Sequence, residues 1–400
     1  MTTSARNRLG AVRASVDALT EDAVAVRREL HRHPELSTEE HRTQALIINW
    51  LASIGAEDLR PIADTGVTAL VRGALPGPNL LWRADIDALP LEEDTGLAFA
   101  SETPGAMHAC AHDGHTAIAL AMASALQHAS ERLRGSVRFA FQPAEERVGG
   151  ARRMIREGVL DEPAVDQAYG LHIWSETPVG QLMVQPGPIF AAATHFRIII
   201  RGRGGHASAP HGTIDPIVVA AHAIVALQTI VSRNVDPADT AVLTVGRLEG
   251  GVRGNIIPSQ VMMSGTVRTF DQAVMDRIVA RTDELLAGVS AAFGATYQFD
   301  HSLLPAVVND AECAEIVADA ATSMFGVEGV GEKRITGGDD MAYFLERVPG
   351  AYFLLGARPA GDVDVYPHHS PKFDFDEACI PLGIELGLRI IERATGSQLD

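Results

Sequence analysis

Residues able to hold a metal ion lie on both sides of a segment with its own rhythm of helices and strands, and nothing else in this 400-residue chain restricts its fold so much. Cys110 and His112 stand in Met107-His108-Ala109-Cys110-Ala111-His112-Asp113-Gly114-His115, and Glu145 and Glu146 close Gln142-Pro143-Ala144-Glu145-Glu146. His172 ends Gly170-Leu171-His172, and only after the intervening segment 187–302 do His368 and His369 appear, in His368-His369-Ser370-Pro371. A fold that unites them must leave one domain and return to it. The segment therefore reads as an insertion, giving a discontinuous catalytic domain at 1–187 and 303–400 and an inserted domain at 188–302.

The local pattern agrees with that division. Helical periodicity over 20–32 ends before Pro34, and Ser37-Thr38-Glu39-Glu40 reads as a capping box opening a second helix that stops before Gly55. Short apolar runs at 67–71 and 79–84 read as strands around a Gly/Pro turn at 73–78. A helix at 115–128, a strand at 137–141, a helix at 149–157 and a strand at 168–173 continue the βαβ alternation of a sheet covered on both faces. From 187 the pattern becomes βαββαβ: strands at 196–201, 241–247, 257–267 and 295–300, helices at 215–231 and 271–292. Beyond it a helix at 310–325, a strand at 351–355 and a helix at 375–394 resume the α/β pattern.

A cysteine two residues from a histidine is weak evidence for a metal. Recurrence strengthens it, since each acid or imidazole motif follows or ends a short apolar run, where an α/β sheet exposes its functional loops. Thiolate, imidazole and carboxylate form the ligand set of zinc and its first-row neighbours. Adjacent Glu145 and Glu146 repel one another unless a positive charge lies close by. Cys313 and Cys379 sit in helix-like stretches without nearby ligands and read as small buried hydrophobes.

Composition narrows the partners. With 33 Lys plus Arg against 51 Asp plus Glu, the formal charge of -18 argues against nucleic acid or an anionic membrane surface. Three irregularly spaced cysteines make no disulfide framework and fit a reducing compartment. The N-terminus carries no apolar signal region, and no stretch reads as long and apolar enough to span a bilayer, so the expectation is a cytoplasmic protein.

Taken in order, Leu30-His31-Arg32-His33-Pro34-Glu35-Leu36-Ser37, Arg83-Ala84-Asp85-Ile86-Asp87-Ala88-Leu89-Pro90, Met107-His108-Ala109-Cys110 and Gln142-Pro143-Ala144-Glu145-Glu146 resemble one family. Gly204-Gly205-His206-Ala207 with Pro210-His211, Leu227-Gln228-Thr229-Ile230-Val231-Ser232-Arg233 and Glu249-Gly250-Gly251 extend the likeness over most of the chain. It is the amidohydrolase family of hippurate hydrolases, bacterial N-acyl-amino-acid aminoacylases and plant auxin-conjugate hydrolases. The resemblance implies an aminopeptidase-like α/β catalytic domain, a mixed sheet covered by helices, with an inserted α+β ferredoxin-like lid or dimerisation domain. It also implies two divalent ions, Mn2+ or Zn2+, held by Cys110, His112, Glu146, His172 and His369. His369 is preferred to His368 because the family histidine stands two residues before the proline, here Pro371.

The same resemblance makes Glu145 the general base and Asp85 the acid that orients a metal-bound imidazole. His206 and Asn255 become substrate-binding residues, with His206 the donor to the oxyanion, in cis or from the partner of a homodimer or larger homo-oligomer. The implied activity is hydrolysis of a small N-acyl amino acid, with a metallo-carboxypeptidase or dipeptidase on the same scaffold as the alternative. Three positions depart from the family pattern: Ala111 and Arg147 replace glycines, and Gly337-Gly338-Asp339-Asp340-Met341 replaces Gly-Ser-Glu-Asp-Phe. Loss of a ligand or of Glu145 would suggest a lapsed site, and none is lost.

Overall fold

The computed structural model describes residues 3–361 and 364–399, with side chains from residue 16 onward, and the chain divides into two compact units. The first comprises Met1–Ile189, Val308–Lys333 and Asp340–Asp400, and the second Phe190–Val307 with Arg334–Asp339. Residues 334–339, expected in the catalytic domain, thus pack with the second unit, where Ala191 N–H donates to the carbonyls of Ile335 and Gly337.

The first unit is built on an eight-stranded mixed sheet in the order Glu57–Ile62, Gly66–Arg72, Arg134–Gln142, Leu75–Asp85, Gln167–Pro178, Gly350–Arg358, Leu182–Met183 and Val330–Gly331. Its four long central strands, Arg134–Gln142 through Gly350–Arg358, run parallel, so their C-terminal ends share one edge. Asp85 pairs with Gln142 in that register, which sets the loops carrying Asp87 and Glu145 side by side. Binding sites collect at such an edge. The core runs from Val67 and Trp82 through Phe139 and Phe353 to the helices His112–His128 and Cys379–Thr395.

Two expectations fail locally. Helix His41–Ser53 has no capping box: Thr38 adopts φ 74°, Glu40 makes no side-chain cap bond, and Glu35 accepts from the N–H groups of Arg42 and Thr43 at 2.9 and 2.8 Å. The buried Glu40 carboxylate is instead taken by Thr65 and by Ala144 N–H, a tertiary demand that outweighs local capping. The second difference is the helix expected at 115–128, which starts at His112, placing His112 and His115 on its first turn.

The second unit is a four-stranded antiparallel sheet, ordered Ala241–Gly250, Gln260–Thr269, Ala192–Arg201, Thr296–Leu304. Helices Pro216–Asn234 and Gln272–Phe293 pack on it, in the βαββαβ order of a ferredoxin-like fold. Asp215 and Asp271 cap these helices by accepting from the N–H groups of Ile217 and of Ala273 and Val274. Contrary to expectation, Pro216–Asn234 is long and apolar enough by composition to cross a membrane. Here its Val219, Ala223, Leu227 and Ile230 belong to the unit's core.

Candidate metal centre

The turn ending at Ala111 builds one wall of the site. Ala111 is held at φ 66° as the residue preceding helix His112–His128, a conformation that costs an L-residue about 1–2 kcal/mol and that glycine adopts freely. This accounts for glycine being usual there. Gly114, one turn on, sits so close to its neighbours that a Cβ would stand 2.5 Å from Ile173 Cδ1 and 2.8 Å from Phe375 Cζ, so any side chain there would have to displace them. That close approach brings the helix start against strand Gln167–Pro178.

The second wall is the Gln142-Pro143-Ala144-Glu145-Glu146 loop. Three consecutive N–H groups there are taken by buried carboxylates: Ala144 by Glu40 at 2.9 Å, Glu145 and Glu146 by the two oxygens of Asp87 at 3.1 and 3.2 Å. Ala144 is in turn held at φ 51°. Asp87 also accepts from Ser37 Oγ at 2.6 Å, and its backbone carbonyl accepts from His112 Nδ1 at 2.8 Å. The residue that orients His112 is thus Asp87, which sequence reasoning passed over. Its signal was present in Asp85-Ile86-Asp87, two acids at alternate positions leaving a strand.

Asp85 acts elsewhere. It takes His115 Nδ1 at 2.5 Å and Arg83 Nη1 at 2.8 Å, and lies 3.5 Å from His112 Nε2. His115 was not among the expected site residues. Despite complete burial, which favours the neutral acid, Asp85 is held well below the usual carboxylate range by Arg83 and the two histidines.

Ligand-type atoms of the five expected residues converge. Cys110, His112 and His172 form one group with all ligand atoms within 4.8 Å of one another, and Cys110, Glu146 and His369 form another. His112, Glu145 and Glu146 make a third. Cys110 Sγ lies 3.5 Å from His172 Nε2, and His369 Nε2 lies 3.3 Å from Glu146 Oε1. His369, at φ 65°, is tied to the Cys110 turn by its N–H to Ala109 O at 2.8 Å. His368 is engaged otherwise, its Nε2 donating to Ile173 O at 2.9 Å.

Electrostatics favour a cation here. Burial opposes charging His112, yet Asp85, Asp87 and Glu146 outweigh it and push the imidazole up to about 10. His172 goes the other way, kept neutral by burial and by neighbouring His115 and His368. His112 Nε2 and Glu146 Oε1 are buried without a hydrogen bond, a costly arrangement for two polar atoms in one group. A divalent ion satisfies both, so the residues fit one. His108, on the same turn, is buried with both ring nitrogens unpartnered, and burial lowers it to about 4.

The remaining expected residues belong to the second unit. His206 lies on a two-residue strand opposite Ile256, beside Asn255, whose carbonyl accepts from Ala207 N–H at 3.2 Å. It is exposed, and its Nδ1 meets Ser208 Oγ at 2.7 Å. Of the departures from the family pattern, Arg147 is exposed and Asp339 is buried.

A model of peptidase family M20/M25/M40 matches residues 81–393. The chain belongs to that family. This M20 protein is a hydrolase of amide bonds. It is 42% identical over 368 residues to an N-acetyl-L-cysteine deacetylase of Bacillus subtilis, covering 92% of this chain and 86% of the relative. It is 37% identical to thermostable carboxypeptidase 1 of Saccharolobus solfataricus, over 90% of this chain and 92% of that one. Among solved structures, a Bacillus subtilis protein described as a dinuclear metal binding peptidase of the M20 family superposes with a TM-score of 0.81 at 34% identity, covering 94% of this chain and 98% of its own.

Proposed function

We propose that this M20 hydrolase is a dinuclear metal-dependent amidohydrolase that cleaves an N-acyl amino acid into a carboxylic acid and a free amino acid. The observation that carries the reading is the pair of groups sharing Cys110, one with His112 and His172 and one with Glu146 and His369, with His112 Nε2 and Glu146 Oε1 left unpartnered. Thiolate, imidazole and carboxylate in that mixture suit zinc or manganese. Two divalent ions held there would supply a water acidic enough to ionise near neutrality and would polarise the scissile carbonyl.

The chain's own residues do the rest. Glu145, whose carboxylate shares a group with His112 and Glu146, takes the proton from the attacking water and returns it to the leaving amine. Asp87 fixes Glu145 through the backbone, so the base keeps its place while its charge changes. His206, with Asn255 beside it, donates to the oxyanion from its own chain or from the partner of a homodimer.

A carboxypeptidase activity at the same site is the second reading, favoured by the Saccharolobus relative. A substrate panel on metal-reconstituted protein separates them. N-acetyl and N-benzoyl amino acids are expected to outcompete dipeptides. The reverse order establishes the peptidase reading, and hydrolysis of neither class overturns both.

A further inference from the structure

Three imidazoles converge on the backbone of one residue, Ile173. Its N–H donates to His115 Nε2 at 2.8 Å, while its carbonyl accepts from His172 Nδ1 at 2.8 Å and from His368 Nε2 at 2.9 Å. Behind His115 the chain of bonds continues to Asp85 at 2.5 Å and from Asp85 to Arg83 at 2.8 Å. Each bond fixes the next. Because His115 Nε2 accepts, the proton of the neutral ring sits on Nδ1, facing Asp85. Because Ile173 O is an acceptor only, the proton of His172 sits on Nδ1. His172 Nε2 is left with its lone pair toward Cys110 Sγ, 3.5 Å away.

We infer that His115 is a positioning residue that holds the backbone of Ile173, whose carbonyl sets the tautomer and placement of His172, and that His368 is a lock on that carbonyl rather than a ligand. His115 could be taken for a ligand, since it stands in a group with Asp85 and His112. Both of its nitrogens are already used, so it has no lone pair to offer a metal. Asp85 thereby reaches His172 through one intervening imidazole and the backbone of one residue, farther out than the carboxylate that touches a liganding histidine directly.

The inference rests on reading Cys110 and His172 as ligands, and its test separates the two. Cobalt affinity is measured by chelator competition and the thiolate-to-cobalt absorption band is recorded for wild type, His115→Leu, His115→Gln and Cys110→Ser. His115→Leu, folded by circular dichroism, should bind cobalt about ten- to a hundredfold more weakly with an altered band. His115→Gln, whose amide can donate to Asp85 and accept from Ile173 N–H, should recover most of the affinity. Wild-type affinity and band in folded His115→Leu overturn the inference. If Cys110→Ser also leaves cobalt binding untouched, the metal-site reading falls with it. If His115→Leu does not fold, proton–nitrogen spectra of metal-free wild type with isotope-labelled histidine decide: His115 and His172 should both be protonated on Nδ1 alone, and an Nε2–H tautomer at either overturns the inference.

Discussion

Strand Gly66–Arg72 of the first unit is buried at every position but its last, whereas Thr296–Leu304 of the second buries only Leu304. In a strand covered on both faces an unanswered charge is costly, and the first unit's buried carboxylates and guanidinium groups are mostly held by specified partners. Arg83 is an example: its guanidinium meets Asp85, Gln142, Asp340 and Tyr352, all buried. The second unit's edge strand Thr296–Leu304 is open to water, and the exposed His206 side chain is bonded to Ser208, two residues on. Preorganised chemistry belongs to the first environment.

The largest effect that would sharpen this contrast is at the base. Glu145→Gln should lower kcat by roughly a hundred- to ten-thousandfold, the usual worth of a general base, with metal content by emission spectroscopy unchanged. Activity near wild type would remove Glu145 from the mechanism. Next comes the exposed histidine: His206→Ala should lower kcat about ten- to a thousandfold while leaving metal content and melting temperature at wild-type values. A fall in melting temperature of several degrees would instead show His206 to be structural, erasing the difference between the units.

A third test bears on the first unit's charges alone. Burial opposes the charged form of His31, but Asp113 at 2.8 Å and Glu93 outweigh it and raise the imidazole to about 9. A raised pKa means the contribution is whole below about 6.5, the unfolded value, and is lost as pH climbs through 9. Urea unfolding of metal-free protein should therefore lose on the order of 3 kcal/mol more across that window in wild type than in His31→Gln, the slope that His112 contributes being common to both. An equal slope in the variant would assign the loss to other groups. The smallest effect is at Ala111. Ala111→Gly should stabilise the protein by about 1 kcal/mol by relieving a left-handed backbone, and a destabilised variant would show the turn to be unstrained.

Sequence pattern singled out side chains that the fold brings close together. The count from Pro371 distinguishes His369, near Glu146, from His368, committed to Ile173. Periodicity missed the start of helix His112–His128, because a histidine, an aspartate and a glycine in its first turn are weak helix formers made helical by packing. The capping box failed for a related reason. Local spelling at 37–40 allows a cap, but Glu40 is worth more holding Ala144 and Thr65.

By itself the sequence determined the alternation of elements, the family, and which side chains have metal-binding chemistry, because these follow from residue types and short spacings. Only the tertiary structure decided which carboxylate serves which group: Asp87 for the Glu145 loop, Asp85 for His115, Glu40 for Ala144. Nothing in a linear spacing distinguishes those acids. Their roles are set by strand register and by the cost of leaving a buried carboxylate without a partner in space.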